Sequence, residues 1–341
     1  MNTSSPFEWI YSKIGDARNT LYDKGALAAH DLGARTISIG NITVGGTGKT
    51  PLVAYVAGVL AARGEKVCIL TRGYGRANPR RRLLVTDGQD IESDVRLTGD
   101  EPQELARRLQ GKAIIVADAD RVSTGKWAKE RFGVTRFVLD DGFQHRRVKR
   151  DVDIVCVDAT DPFGNGRVLP AGILREQIDG LRRADVIVVT RSDLVEDTRF
   201  IVDRIRSTGT DAKVSFASGG TYQIVPLKDF LSGGLGHLSQ KIDLSEPNSA
   251  YAFCALGNPD NFSRQLRFNS IGLDGFRAFP DHHFYTQDDI RRLHAAAANA
   301  GALITTAKDA VKLKNLKFDM PCFVALSTPK IHDREAFDAL L

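Results

Sequence analysis

A strand that runs into a glycine-rich loop and then into a helix constrains this chain more than any other feature. The apolar stretch 37–39 precedes a loop with glycines at 45, 46 and 48, and Lys49-Thr50 then opens a helical pattern. Because glycine has no Cβ, such a loop lets backbone N–H groups surround a polyphosphate, and the helix N-terminus adds positive potential. The sequence therefore predicts a phosphate-binding loop within an α/β fold.

Lys49 and Thr50 give this loop its predicted chemistry. Lys49 would contact the β- and γ-phosphates of a nucleotide, and the Thr50 hydroxyl would ligate Mg²⁺. Thr43 stands where the strict pattern has its first glycine, so the match is incomplete. The residues predicted to bind the nucleotide are Thr43, Val44, Gly45, Gly46, Thr47, Gly48, Lys49 and Thr50.

Short apolar strands alternate with helical segments through the first two thirds of the chain. Their interiors are rich in Val, Ile and Leu at consecutive positions, which is typical of parallel strands buried on both faces. The alternation predicts a doubly wound, mostly parallel sheet. The predicted strands are 36–40, 66–70, 113–116, 136–139, 153–157 and 185–190, and the helix after the loop is 50–63.

A second, smaller α/β lobe is predicted toward the C-terminus. Residues 228–248 have few apolar side chains, which places a domain boundary near them. Strands at 250–255, 303–306 and 323–326 and a helix at 288–300 follow. The predicted organisation is an N-terminal helix in residues 1–30, a phosphate-binding core in 31–235 and the second lobe in 236–341.

The N-terminal segment 7–29 is predicted to be an amphipathic helix. Six residues recur at spacings of three and four, namely Phe7, Ile10, Tyr11, Ile14, Ala17 and Leu21. This stripe could pack on the rest of the protein, or it could enter the interface of a bilayer. The pattern alone leaves both interpretations open.

Charge and cysteine content narrow the class of protein. The formal net charge of +5 suits anionic partners such as phosphates or an acidic membrane surface, but it is too small to indicate nucleic acid. The four cysteines are widely separated and form no CxxC pair, which predicts buried free thiols in a reducing compartment. No apolar run approaches the length of a membrane span, and charged residues interrupt any signal-peptide core.

Acidic residues follow one of the predicted strands and stand at the start of a predicted helix. Asp140-Asp141 ends an apolar strand, where a parallel sheet would present metal-binding carboxylates to a nucleotide. Asp100 lies in a Gly-Asp-Glu-Pro turn, where it could be a helix N-cap. His282 and His283 are adjacent, so both cannot easily bind one metal, but one of them could assist proton transfer. Basic residues in the same loops suggest a pocket for an anionic acceptor.

Several longer motifs resemble those of the tetraacyldisaccharide 4'-kinase (lipid A 4'-kinase) family. The resemblance covers nearly the whole chain, and the Asp-Asp-Gly-Phe-Gln-His run is its most specific part. The matching stretches are 40–51, 72–76, 99–102, 140–147, 169–176 and 281–283, with Asn19, Leu21, Tyr22 and Asp23 ahead of the first strand.

This resemblance implies a P-loop NTPase-type kinase on the cytoplasmic face of the inner membrane, as a peripheral or monotopic protein. It would transfer the γ-phosphoryl group of ATP, with Mg²⁺, to the 4'-hydroxyl of an acylated glucosamine disaccharide 1-phosphate, giving lipid IVA without an obligatory protein partner. The resemblance assigns catalysis to Asp100, His282 and Lys49 and the metal to Thr50, Asp140 and Asp141. It assigns the acceptor to Arg72, Tyr74, Arg121 and Arg175.

Two other functions stay open at this point. A nucleotide-dependent switch would use the same loop, and Thr190–Asp193 and Thr306–Asp309 faintly resemble a guanine-binding loop. A kinase of a small soluble metabolite would also need the loop and the carboxylates. The first would hydrolyse nucleotide without a sugar acceptor, and the second would work without detergent and without the N-terminal helix.

Overall fold

The computed structural model describes residues 6–220, 222–233 and 249–341, which form two sheets with flanking helices. The strands are β1 (Arg35–Asn41), β2 (Val67–Thr71), β3 (Leu83–Thr86), β4 (Ala113–Ala117), β5 (Arg136–Asp140), β6 (Val152–Asp158), β7 (Val186–Thr190), β8 (Lys213–Ser218), β9 (Tyr222–Pro226), β10 (Ala250–Cys254), β11 (Leu273–Ala278), β12 (Ala302–Thr306), β13 (Cys322–Ser327) and β14 (Lys330–Ile331). The helices are α1 (Pro6–Asp23), α2 (Lys49–Ala62), α3 (Val95–Thr98), α4 (Asp100–Arg108), α5 (Arg121–Phe132), α6 (Arg199–Arg206), α7 (Leu227–Ser232), α8 (Pro259–Phe268), α9 (Gln287–Ala296), α10 (Ala307–Ala310) and α11 (Arg334–Asp338). Short 3-10 helices cover Ile178–Arg183 and Ser192–Leu194.

The larger sheet has nine strands in the order β14-β8-β7-β6-β1-β5-β2-β4-β3. Its seven central strands are parallel, and only the edge strands β3 and β14 pair antiparallel. Every residue of β2, β4, β6 and β7 is buried, as expected for strands covered on both faces. The predicted doubly wound, mostly parallel sheet is confirmed, with strand ends within two residues of the predicted ones.

The register of this sheet collects polar residues at one edge. Asp140 at the end of β5 pairs with Ile39 of β1, so the glycine-rich loop begins just beyond it. Thr71 at the end of β2 accompanies Ala117 at the end of β4. Because parallel strands end at the same edge, the loops after these strands converge there. This convergence positions the candidate site.

The second sheet has five strands in the order β11-β10-β12-β13-β9, with only β9 antiparallel to its neighbour. Loops after two of its strands reach the first lobe. The His282 Nδ1 atom, beyond β11, lies 2.8 Å from the Asp100 Oδ2 atom, and the Lys312 Nζ atom, just after α10, lies 3.9 Å from it. The smaller α/β lobe expected from the sequence is therefore present. All four cysteines are buried free thiols, as predicted.

The two sheets divide the chain differently from the predicted boundaries. The expected division between residues 235 and 236 falls outside the described residues. β9 and α7 precede it, yet β9 pairs in the second sheet. At the other end, β14 returns to the first sheet, and Phe337 of α11 packs into the first lobe's core. Edge-strand pairing of this kind depends on distant segments, so local composition did not reveal it.

The N-terminal helix is shorter than predicted and turns its apolar stripe away from the protein. α1 ends at Asp23 rather than near residue 29, since Gly25 adopts a left-handed conformation with φ of 69°. Phe7 and Ile14 keep 73% and 66% of their surface exposed. Polar groups attach the helix instead, including Glu8 to Arg167. Among the described helices, none is long and apolar enough to cross a membrane.

Candidate active site

The glycine-rich loop leaves its backbone open at the edge of the first sheet. Gly45 has φ of 101°, and a Cβ built at Gly45 or Gly46 would meet no atom within 4 Å. Gly48, with φ of 77°, is the N-cap of α2. Its conformation turns the chain into the helix, so the positive end of α2 faces the loop. The open backbone of the loop therefore has room for phosphate oxygens.

Buried hydrogen bonds fix the two ends of this loop. The Asn41 Nδ2 atom donates to the Thr47 hydroxyl over 3.1 Å, and the Thr190 hydroxyl donates to the Thr47 carbonyl over 3.0 Å. Thr43 is buried and forms a bridge with Leu174, so its side chain faces the protein rather than the open loop. Asn41 and Thr190 are thus supporting residues that the motif alone did not identify.

Asp141 is the negative centre of the site and binds two cations. Its carboxylate accepts from Arg175 at 2.7 and 2.8 Å and lies 3.6 Å from Lys49 Nζ. Burial raises the pKa of Asp141, but the charges of Lys49 and Arg175 outweigh burial and hold it below its usual value. The Asp141 carboxylate therefore stays ionised beside the phosphate loop at neutral pH.

Asp140 lies deeper, at the end of β5. It is buried, and its carboxylate accepts a hydrogen bond from the Thr71 hydroxyl over 2.8 Å. Burial raises the pKa of Asp140, and the nearby Asp141 charge raises it further. Arg121 donates to the carbonyl oxygens of Asp140 and Asp141 over 2.6 and 3.1 Å. Arg121 therefore fixes the turn that presents the two carboxylates.

The oxygen ligands at this edge fit Mg²⁺. Mg²⁺ prefers hard oxygen ligands and is commonly held by one or two carboxylates together with substrate phosphates. Thr50, Asp140 and Asp141 offer a hydroxyl and two carboxylates beside the loop. The described residues contain no cluster of three His, Cys, Asp or Glu side chains suited to hold a metal alone. This arrangement suits a cation that arrives with the nucleotide.

Asp100 and His282 meet across the two lobes. Asp100 is the first residue of α4, and Gly99 rather than Asp100 is the N-cap. The His282 Nδ1 atom lies 2.8 Å from the Asp100 Oδ2 atom. Asp100 is 7% exposed, while the His282 side chain keeps 35% of its surface in contact with solvent. The two residues are 182 positions apart in the sequence, so only the assembled fold brings them together.

The charges of this pair stabilise each other. The hydrogen bond to Asp100 raises the pKa of His282, although burial opposes it. Burial raises the pKa of Asp100, but the His282 hydrogen bond and the charges of Lys308 and Lys312 outweigh burial and lower it. A carboxylate held ionised next to a histidine can accept a proton from a hydroxyl group.

The structure separates the two adjacent histidines. The His283 Nε2 atom lies 3.1 Å from the Asp289 Oδ2 atom, and its ring stacks on the Phe279 ring with centroids 4.9 Å apart. His283 therefore belongs to the packing of the second lobe. His282 has φ of 61°, and Asp141 has φ of 51°. Left-handed backbone in residues other than glycine is uncommon and concentrates at functional sites. His282 and Asp141, each predicted to be functional, both hold this conformation.

The four residues assigned to the acceptor fall into two groups. Arg72 and Tyr74 are exposed on the loop after β2, and the Tyr74 ring lies 5.9 Å from the His282 ring. Arg121 and Arg175 instead contact the Asp140-Asp141 turn directly. The structure therefore brings Tyr74 to the Asp100–His282 pair and Arg175 to the phosphate loop.

Three charged groups at the junction of the lobes were not singled out from the sequence. Lys308 lies 3.1 Å from Asp281, and Lys312 lies 3.9 Å from Asp100. Burial raises the pKa of Glu101 to about 7, and the Asp140 charge adds to the shift. Lys308 lies in a stretch that the sequence suggested only as a faint guanine-binding match, and Lys312 lies in no motif, so only tertiary contacts could place these lysines beside Asp100 and Asp281.

Comparison with known proteins agrees with this geometry. The sequence matches the family described as tetraacyldisaccharide-1-P 4'-kinase across residues 3–341. A tetraacyldisaccharide 4'-kinase of Geobacter metallireducens is 38% identical over 301 residues, covering 87% of this chain and 83% of that protein. The same enzyme of Anaeromyxobacter sp. strain Fw109-5 is 37% identical over 343 residues, covering 98% and 90%.

A solved structure shares the whole fold. It is the "apo" form of LpxK from Aquifex aeolicus in complex with ATP, with a TM-score of 0.78 and 31% sequence identity. The match covers 98% of this chain and 96% of the other. The family match over almost every residue, the relatives and the shared fold lead to one conclusion: this chain belongs to the tetraacyldisaccharide 4'-kinase family.

Proposed function

We propose that this kinase transfers the γ-phosphoryl group of ATP to the 4'-hydroxyl of a tetraacyldisaccharide 1-phosphate, giving lipid IVA, and that Asp100 is the general base. One observation carries the assignment of the base. The His282 Nδ1 atom of the opposite lobe lies 2.8 Å from the Asp100 Oδ2 atom, and the charges of Lys49 and Asp140 both act on the adjacent Glu101. Membership of the family supplies the class of acceptor.

The residues of the site divide the work of phosphoryl transfer. Asp100 takes the proton of the acceptor hydroxyl, and His282 stabilises its carboxylate. Lys49 and the backbone N–H groups at the start of α2 bind the phosphates and neutralise charge that develops during transfer. Thr50, Asp140 and Asp141 would hold Mg²⁺, which neutralises phosphate charge when bound. Positioning and charge neutralisation are the main needs of this reaction.

Exposed residues beside His282 are suited to the acceptor. We assign Arg72 and Tyr74 to the sugar and its phosphate, since both are solvent-exposed and Tyr74 borders His282. Arg175 would contact transferred phosphate as well as Asp141, because its guanidinium already lies in the phosphate site. Arg121 contributes by fixing the Asp140-Asp141 turn rather than by contacting the acceptor.

A transfer assay tests the function directly. Purified protein, γ-labelled ATP with Mg²⁺ and detergent-dispersed tetraacyldisaccharide 1-phosphate are incubated, and the lipids are separated by thin-layer chromatography. We expect a labelled lipid whose formation depends on the acceptor. Label that appears only as free phosphate, at a rate independent of lipid, would instead favour a nucleotide switch. Phosphorylation of soluble sugars alone would favour a metabolite kinase.

We further propose that α1 associates with the cytoplasmic face of the inner membrane. Its large apolar side chains are exposed, and its attachment to the first lobe uses polar groups on other faces. An interfacial helix has this arrangement. The exposed residues are Phe7, Trp9, Ile10, Tyr11, Ile14 and Leu21.

Replacing Phe7, Trp9 and Ile14 together by serine is expected to reduce membrane binding at least tenfold. A side chain of this size contributes about 1.5–3 kcal/mol when it is fully buried in an apolar environment. Even if each side chain enters the membrane only in part, the loss of three should therefore lower the affinity by this amount. Co-sedimentation with vesicles of phosphatidylethanolamine and phosphatidylglycerol measures the bound fraction. The matched control replaces Phe200 and Phe268 by serine, since these two side chains are exposed on α6 and α8. Equal vesicle binding by the two variants would mean that the membrane contact lies outside α1.

A further inference from the structure

Lys312 is a buried cation at the junction of the two lobes. Its side chain has no exposed surface, and its Nζ atom lies 2.9 Å from the Asp309 Oδ1 atom. The same Nζ atom lies 3.9 Å from the Asp100 Oδ2 atom. The Tyr285 ring covers the ammonium, with its centroid 5.6 Å away. A buried lysine is costly unless it is paired, so these contacts set the position of the charge.

Asp309 is fixed by the second lobe so that one oxygen faces Lys312. Its Oδ2 atom accepts from the Ala255 N–H over 3.0 Å and from the Thr306 hydroxyl over 2.7 Å. Asp309 is fully buried. With Oδ2 occupied by these donors, Oδ1 is left for Lys312. Lys312 is therefore held near Asp100 by a buried carboxylate that hydrogen bonds fix in place, unlike a flexible lysine on the surface.

Two groups of the second lobe approach the same oxygen of Asp100. His282 Nδ1 and Lys312 Nζ both lie nearest to Oδ2, at 2.8 and 3.9 Å. The Oδ1 atom accepts the backbone N–H of Glu101 over 3.0 Å. A carboxylate oxygen has two lone-pair directions, so Oδ1 can still accept a hydroxyl proton.

We propose that Lys312, supported by Asp309, is a positioning residue that holds the Asp100 carboxylate with its Oδ1 atom turned toward the acceptor hydroxyl. Lys312 would act through Asp100 and would touch neither ATP nor the acceptor. The proposal rests on the proposed role of Asp100 as general base. It also makes the base competent only when the second lobe is docked against α4, because His282 and Lys312 both come from that lobe.

Charge gives the sign of the expected pH effect. Removing a cation next to a carboxylate raises the carboxylate pKa, so the base is protonated at a higher pH and activity is lost earlier on acidification. The other charges around Asp100 come from both lobes and remain in place. Besides Lys312, the groups that face Asp100 or its histidine partner are His282, Lys308 and Asp281 from the second lobe and Glu101 and Glu104 from α4.

Lys312→Met tests the proposal, since it keeps an unbranched side chain and removes the charge. We expect kcat with the lipid acceptor to fall about tenfold near neutral pH and the acid limb of its pH profile to move up by about one unit. The KM for ATP is expected to stay within twofold. The control is Lys314→Met, at an exposed lysine two residues along the same turn, with an unchanged profile expected.

Asp309→Asn is the second variant, and we expect it to shift the acid limb of the kcat profile in the opposite direction. Asparagine can keep the hydrogen bonds from Ala255 and Thr306, while the Lys312 charge loses its partner and acts more strongly on Asp100. The acid limb is therefore expected to move to lower pH. This variant decides the proposal by itself if Lys312→Met does not fold. Shifts of the same sign in both variants, or an equal loss of kcat at every pH, would overturn the proposal.

Titration of the His282 imidazole by NMR gives a readout that does not require transfer. Lys312→Met removes a positive charge near the imidazole, so the pKa of His282 is expected to rise; an unchanged His282 titration would contradict the proposal. Failures of the two hypotheses are also distinguishable. Wild-type protein that makes no labelled lipid counts against the proposed function, whereas active wild-type protein with unaltered variants counts against Lys312 alone.

Discussion

Asp100→Asn is expected to lower kcat by ~10²–10⁴ while ATP still binds, because the variant removes the general base without changing the size of the side chain. An asparagine can still hydrogen-bond to His282, so the junction between the lobes should keep its geometry. The wild-type acid limb should also disappear. Asp100 has a lowered pKa, so the wild-type base is ionised above that pKa and is lost only as pH falls through it.

Single-turnover transfer and equilibrium binding of ATP measure these two effects separately. Asp90→Asn is a matched control, since Asp90 is an exposed carboxylate on the same lobe, outside the site. It should leave both quantities unchanged. If Asp100→Asn abolishes ATP binding together with transfer, Asp100 supports the nucleotide site or the fold, and the assignment of the base is wrong.

Lys49→Met is expected to reduce kcat by about 10²–10³ and to weaken ATP binding as well. Lys49 is the cation at the start of α2, and removal of one preorganised group that stabilises developing charge has an effect of this size. The variant also leaves Asp141 with Arg175 as its remaining close cation, which raises the Asp141 pKa.

Lys66→Met is the control for this variant, because Lys66 is exposed beyond the opposite end of α2. Titration of the protein with ATP and Mg²⁺ measures binding, and the labelled-lipid assay measures transfer. Turnover unchanged in Lys49→Met would exclude the glycine-rich loop as the phosphate-binding site. The contrast with Asp100→Asn, which should affect transfer but not ATP binding, separates the two roles.

Local patterns predicted those parts of the site that lie close together in sequence. The glycine-rich loop and Asp140-Asp141 each follow one strand, and the edge of a parallel sheet is implied by consecutive apolar residues. The strands then bring these residues together, as the Ile39 and Asp140 register shows. Asp100 and His282 were paired by resemblance to a family, since no spacing in the sequence links residues 182 positions apart.

The contacts of individual side chains could not be obtained in this way. Arg121 and Arg175 looked equivalent to Arg72 as basic residues after strands, yet they contact the Asp140-Asp141 turn while Arg72 is exposed. Burial decides between these outcomes, and burial depends on what the rest of the chain places over each residue. The exposed stripe of α1 is a similar case, since its periodicity also fitted a helix packed inside the protein.

The sequence by itself determined the phosphate loop, the mostly parallel sheet, the existence of a second lobe and the family. These depend on local backbone preferences and on hydrophobic periodicity, both of which are written into neighbouring residues. Only the tertiary structure decided that β14 returns to the first sheet, that His283 packs within the second lobe, and that Lys312 is buried beside Asp100 and His282. Such contacts join distant segments, and their energies depend on burial and charge that exist only once the lobes are packed together.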